Sequence, residues 1–368
     1  MLIYVLLLHV PFANGQQRET ENVVIVTLDG FRWREVFNGA DKNILCREEY
    51  TSDTTVISRF NATTADERRQ KLLPFLWNVI AREGQLYGNR KFGNRMNLQN
   101  MNLYSYAGYS EMFVGFADPR VRNNKPKPNP NSTVLEAINN QEGFKGKVAA
   151  FATWDIMSFI LREKQSGIYI NSGNDKAHGS DVSGNESSLN FMTDEIQNPQ
   201  GGRYDNFTFQ YAMEYLKRER PRLLFISFDE TDAHAHRGRY DLYLEAAHRA
   251  DQMIAELWRW IQSQDDYKNK TTLLIATDHG RGTSPKGWRR HALLYRGSAQ
   301  VWFAAIGPDT PPSGEMKIRM RISQTQIAQT IAALLGVPYH QVRKTGDPIS
   351  TIFRDPDTPL APVLSAEE

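Results

Sequence analysis

Cysteine is almost missing from this chain: Cys46 is the only one in 368 residues, which excludes any intrachain disulfide and any paired-cysteine redox or metal motif. Charge of one sign is missing too. Forty-four Lys and Arg face 42 Asp and Glu, a formal net charge of +2, so the broad cationic surface that nucleic-acid binding requires is absent. The densest basic run, Lys217-Arg218-Glu219-Arg220, is interrupted by an acid and reads as a solvated helix end. A long apolar run is also lacking. Residues 1–10 (MLIYVLLLHV) are too short to span a bilayer comfortably and are followed by Pro11, Ala13 and Gly15, the form of a secretory signal segment. Removal of residues 1–15 would leave a mature protein starting at Gln16, exported to a periplasm or medium, without a transmembrane anchor. The sequence does not indicate an oligomeric state.

What is present is a substantial core. Hydrophobic residues make up 40% of the chain and recur along its length, which argues against global disorder. Apolar, β-branched runs of strand length occur at 22–28, 147–153, 222–228, 271–276 and 300–306. Segments of helical period lie at 73–83, 240–261 and 324–335, the last stopped by Gly336 and Pro338. This alternation predicts an α/β fold, a central, mainly parallel sheet with helices on both faces. We expect residues 16–354 to form a single domain. Segments 123–131 and 171–203, rich in Asn, Pro, Gly and Ser, read as loop insertions, and 355–368, with its prolines, as a peripheral tail.

Acidic residues stand at the ends of three of these strands: Asp29, Asp232 a few residues beyond the third run, and Asp278. The carboxyl ends of parallel strands form the ligand crevice of an open α/β sheet, so these carboxylates should converge. Converging carboxylates repel, and a bound cation relieves the repulsion. Histidines accompany them: His236 four residues after Asp232, His279 beside Asp278 in Asp-His-Gly, then His291. Mixed Asp and His ligands suit zinc first and manganese second, rather than calcium, and six side chains suffice for two divalent ions. Asp229 and Glu230 read as partners behind the ligands.

In this order, Asp at a first strand end, Asp-x-x-x-His, Asp-His-Gly and a late His, the sequence resembles the alkaline phosphatase superfamily, particularly its nucleotide pyrophosphatase/phosphodiesterase-like branch. The resemblance extends from about residue 22 to about residue 348. It implies one metal site of Asp232, His236 and His291, a second of Asp29, Asp278 and His279, and a Ser or Thr nucleophile, also bound to the second metal, opening a helix after an aromatic-rich loop. The segment 104–115 (YSYAGYSEMFVG) is similar to that element and gives Ser110 as nucleophile and metal ligand, with Ser105 as the alternative hydroxyl. The distance from Ser110 to Gly115 is one residue longer than in phosphodiesterases with a Thr nucleophile. Arg281, Arg290 and Asn124 are expected to bind substrate oxygens.

The implied activity is metal-dependent hydrolysis of a small-molecule phosphate ester. A sulfatase or phosphonate hydrolase of the same superfamily is the alternative, with a non-catalytic metal-binding protein behind it. Sulfatases of the superfamily carry Cys/Ser-x-Pro-x-Arg, and no such sequence surrounds Ser110. Intact-mass measurement of the exported protein should give an N-terminus near Gln16; retention of Met1 would rule out the signal segment.

Overall fold

The computed structural model describes residues 18–178, 181–196, 198 and 202–354, so the expected signal segment and the tail at 355–368 lie outside the described residues. Eleven strands run in chain order: β1 Asn22–Leu28, β2 Gln85–Tyr87, β3 Asn94–Asn97, β4 Val148–Ala152, β5 Tyr169–Ser172, β6 Leu223–Phe228, β7 Thr271–Ala276, β8 Gln300–Val301, β9 Phe303–Ile306, β10 Gly314–Glu315 and β11 Met320–Ser323. Eight form one sheet in the order β10-β2-β9-β7-β1-β6-β4-β5, and β11-β3-β8 form a small second one. In the large sheet β9 alone runs against its neighbours β2 and β7; the other pairings are parallel. The expected α/β class and mainly parallel sheet are therefore present.

Alternation along the central strands sorts their side chains onto two faces. Val24, Val26 and Leu28 of β1, with Leu224 and Ile226 of β6, join one apolar cluster; Val23, Ile25, Leu223 and Phe225 join the other. Strands buried on both faces are apolar at nearly every position, which is why these runs are almost continuous in the sequence. Five helices cover the sheet or border its carboxyl edge: α1 Ser105–Val114, α2 Asp205–Glu219, α3 Glu230–His236, α4 Tyr240–Gln262 and α5 Gln326–Leu334. α4 lays Tyr243, Leu244, Ala247, Ala250, Ile254, Leu257 and Ile261 on the first face. α5 and α1 cover the second with Ile327, Ile331, Met112 and Phe113.

Several expectations needed revision. The run at 300–306 is two strands: Gln300–Val301 pairs with β3, Phe303–Ile306 with β7, and Trp302 between them sends its indole N–H to Phe31 O at 2.8 Å. Short strands β2, β3, β5, β10 and β11 were not foreseen, and 171–203 contains the helix Gly184–Glu195. The helix at 73–83 is π-helical over Leu76–Ile80. Among the described residues no helix is long and apolar enough to cross a membrane.

The start of that π-helical segment is tied to α4 by a buried carboxylate: Asp251 accepts the backbone N–H groups of Phe75 at 2.7 Å and Leu76 at 3.0 Å. Burial pushes the Asp251 carboxyl up to about 7. Its folded value lies above the unfolded one, so its contribution to stability is full below ~4 and is lost as pH rises towards that folded value. The advantage of wild type over Asp251→Asn in urea unfolding should therefore shrink across that pH window; a pH-independent difference would refute the assignment.

Candidate two-metal site

Strand register builds the site. The pairs Leu28↔Phe228 and Thr27↔Ala276 continue past the strand ends to set Asp29, Asp229 and Asp278 at one level on three adjacent strands. Hydrogen bonds lock this edge. Gly30 N–H donates to Asp278 Oδ1 at 2.9 Å. Asp205, first residue of α2, accepts from Asp229 N at 2.8 Å, Glu230 N at 3.1 Å and Thr153 Oγ1 at 2.6 Å, fixing the turn from β6 into α3. Gly30 has φ +57°, and a Cβ there would sit 2.9 Å from Asp232 Oδ1 and as close to the Arg281 guanidinium, so the turn requires glycine.

α3 supplies the next candidate ligands one helical turn apart, with His236 Nε2 3.1 Å from Asp232 Oδ2. His291 Nδ1 bonds Leu103 O at 2.8 Å, which turns its Nε2 towards His236 Nε2 at 3.1 Å. His279 Nδ1 bonds Gly280 O at 3.0 Å, and its Nε2 faces Asp29 Oδ1 and Asp278 Oδ2 at 3.5 Å each and Asp232 Oδ1 at 3.8 Å. The His279 and His291 rings stack at 3.9 Å. In each of the triads Asp232/His236/His291 and Asp29/Asp278/His279 the donor atoms all lie within 4.8 Å of one another. The structure thus brings together the six side chains singled out in the sequence. Asp29, Asp229 and Asp232 form a third such group, so Asp229 stands closer to the centre than expected.

Electrostatics argue that the arrangement fits cations. Asp29 is held well above the usual carboxylate range by burial, then by Asp278 and Asp229; Asp278 is raised by burial, and Asp229 is pushed up to about 7 by burial and Asp205. Burial pushes His236, His279 and His291 down, so they are neutral at pH 7 and their short contacts with carboxylates are not ion pairs. Asp29 Oδ1 and Asp278 Oδ2 are buried and accept no hydrogen bond from any described residue. Neutral imidazoles and unrelieved carboxylates are the ligand forms that divalent ions take up.

The structure places Ser105, rather than Ser110, against this centre. Helix α1 begins at Ser105, five residues earlier than expected, and Ser105 Oγ lies 3.2 Å from His279 Nε2. Ser110 sits more than a turn along the helix, buried, with its Oγ accepting from Asn129 Nδ2 at 3.0 Å. The Tyr-Ser pair occurs twice, at 104–105 and 109–110, and only the helix start separates them. The helix can approach so closely because of Gly108: a Cβ there would lie 2.2 Å from Asp278 O.

Of the three expected substrate contacts, Arg281 is committed elsewhere. Fully buried, it donates from Nε to Gly30 O at 3.1 Å, from Nη1 to Arg289 O at 3.0 Å and from Nη2 to Asp232, so it orients the Asp232 carboxylate and has no free face for substrate. Asn124 Oδ1 accepts the N–H of Tyr106 at 3.1 Å, which sets its amide beside Ser105 at the start of α1. Arg290 is exposed, and its charge helps lower His236.

A central sheet with such a centre at the carboxyl ends of its strands defines the alkaline phosphatase superfamily of hydrolases. A family model described as Sulfatase matches residues 101–337, more than half of the sequence, and the chain belongs to that family. The fold is similar to that of the lipoteichoic acid synthase LtaP from Listeria monocytogenes, at TM-score 0.56 and 15% identity over 92% of this chain and 75% of that one. It is also similar to the alkaline phosphatase PafA, at TM-score 0.58 and 9% identity over 92% and 99%. A putative sulfatase from Bacteroides thetaiotaomicron aligns at TM-score 0.58 and 11% identity over 90% and 74%. No protein of curated function matches the chain in sequence.

Zinc titration of chelator-stripped protein should show two equivalents bound. His236→Ala and Asp278→Asn should each weaken one of them by at least about 10-fold, by loss of a ligand; a single equivalent, insensitive to one of the two changes, would remove a site.

Proposed function

We propose that the protein is an exported hydrolase of phosphate esters, with Ser105 in place of Ser110 as the nucleophile. The observation that carries this reading is an ordinary serine at the opening of α1, 3.2 Å from His279 Nε2, followed by Ala107 and Tyr109 where a Ser-x-Pro-x-Arg sulfatase signature has Pro and Arg. A serine outside that signature keeps its hydroxyl. An alkoxide that attacks phosphorus is then the simplest chemistry open to it.

Two divalent ions, zinc before manganese, would be held by Asp232, His236 and His291 and by Asp29, Asp278 and His279, and when bound would favour ionisation of the Ser105 hydroxyl and offset charge on the leaving oxygen. Ser105 Oγ, its proton lost to solvent, forms a bond to phosphorus as the ester P–O bond breaks, and the alcohol leaves with a proton from water. Water then attacks the phosphoserine, releasing phosphate and restoring the hydroxyl. The Asn124 amide, whose oxygen is already occupied by Tyr106, has its N–H groups left to donate to a phosphate oxygen, and Arg290 adds positive charge at the rim. The N-terminal end of α1 favours the same anion.

Family membership supports sulfate esters as a second reading. Initial rates on matched nitrophenyl phosphate, bis-nitrophenyl phosphate, nitrophenyl phosphonate and nitrophenyl sulfate, with and without chelator, separate the two. Chelator-sensitive turnover led by a phosphate ester is expected. Ser105→Ala should lower kcat at least about 1,000-fold with metal content unchanged, while Ser110→Ala stays within a few-fold. Preference for the sulfate, or the reverse order of the two serine variants, would sink the proposal.

A further inference from the structure

A buried carboxylate outside the ligand set takes no part in this chemistry directly. Glu111 lies on α1 six residues after Ser105, only 1% exposed, and no Lys, Arg or His among the described residues forms an ion pair with it. Its partners are all N–H groups of one loop. Glu111 Oε1 accepts from Gln99 N at 2.8 Å, while Oε2 accepts from Asn100 N and Asn100 Nδ2, both at 2.8 Å, and more distantly from Gln99 N at 3.1 Å. Asn100, also buried, passes the constraint on: its Oδ1 accepts the N–H of Leu103 at 2.8 Å. Leu103 is held at φ +53°, in the left-handed region that a branched side chain seldom adopts. That conformation directs Leu103 O at His291 Nδ1, 2.8 Å away, and the chain enters α1 at Ser105 two residues later.

We propose that Glu111, through Asn100 and Leu103, is the positioning residue that holds His291 in its ligating orientation and fixes the loop that delivers Ser105. The inference rests on His291 being a metal ligand and Ser105 the nucleophile. Its physical content is a relay of hydrogen bonds with defined direction. The carboxylate can only accept, so it orients the Asn100 amide with its NH2 inward and its oxygen towards Leu103. The Leu103 carbonyl then requires the proton of His291 to sit on Nδ1, which leaves the Nε2 lone pair for a cation. A glutamine at 111 has the same shape but replaces one of the two acceptor oxygens by a donor, so in either amide orientation an N–H group of the loop, on Gln99 or on Asn100, faces another N–H and the anchor of Asn100 loosens.

The test is a competitive zinc titration of the purified full-length protein against a chromophoric chelator, for wild type, Glu111→Gln, His291→Ala and the double variant, with thermal unfolding as a check of folding. Glu111→Gln should weaken the affected site about 10–100-fold, and in the His291→Ala background it should add nothing, since both act on one ligand. An unchanged affinity in Glu111→Gln beside a weakened His291→Ala overturns the relay and leaves the metal assignment standing. Unchanged affinity in His291→Ala overturns that assignment, and the relay with it. Additive losses assign Glu111 a general structural role and also overturn the relay. If Glu111→Gln does not fold, Asn100→Ala, which removes the acceptor for Leu103 together with the Nδ2 donor to Glu111 and so cuts the relay at its middle, takes its place and should show the same weakening and the same cycle.

Discussion

Repulsion among carboxylates at the end of the sheet is the constraint around which this molecule is arranged. β1, β6 and β7 are in a register that leaves Asp29, Asp229 and Asp278 side by side, with Asp29 and Asp278 buried away from water and Asp229 half-buried beside them. Nearby groups soften the conflict without removing it: Gly30 N–H on Asp278, Arg281 on Asp232, and backbone N–H groups on Asp205 behind them. A low-dielectric pocket of acids beside three neutral imidazoles is a poor solution for an empty protein and a good one for a loaded one. The remaining features, a glycine where α1 meets Asp278 and a left-handed Leu103 beneath His291, serve to bring further groups into that crowded space.

Much of this was legible in the sequence for a simple reason. β1, β6 and β7 are buried on both faces, so their apolar runs stand out, and the first charged residues after them are those at the crevice. Asp29, Asp278 and His279 could be placed from that alone. The Asp232 to His236 interval could be recognised because it matches one turn of a helix. The family order of these fragments carried His291 as well.

What was not legible depends on where helices begin and on contacts between distant residues. Two Tyr-Ser pairs five residues apart look equivalent until the start of α1 selects the first, so the expected serine is buried against Asn129 instead. Arg281 beside an Asp-His-Gly motif looks like an anion contact, and only the proximity of Gly30 O, Arg289 O and Asp232 reveals it as a clamp. Asp229 shares a level with Asp29 only through the register of β1 and β6. The pairing of His291 with Leu103 spans 188 residues, and strands as short as Gly314–Glu315 leave no periodicity to read.

The six candidate ligands come from positions 29 to 291, the greater part of the described fold. A cation gripping both Asp29 and Asp278 would close a loop of the chain that no covalent bond closes, since Cys46 has no second thiol to join. Such an ionic cross-link restricts the unfolded chain far more than a contact between near neighbours, because the loop it spans is long. With no disulfide to resist unfolding, the same cations that would equip the crevice for chemistry would also act as this protein's staple.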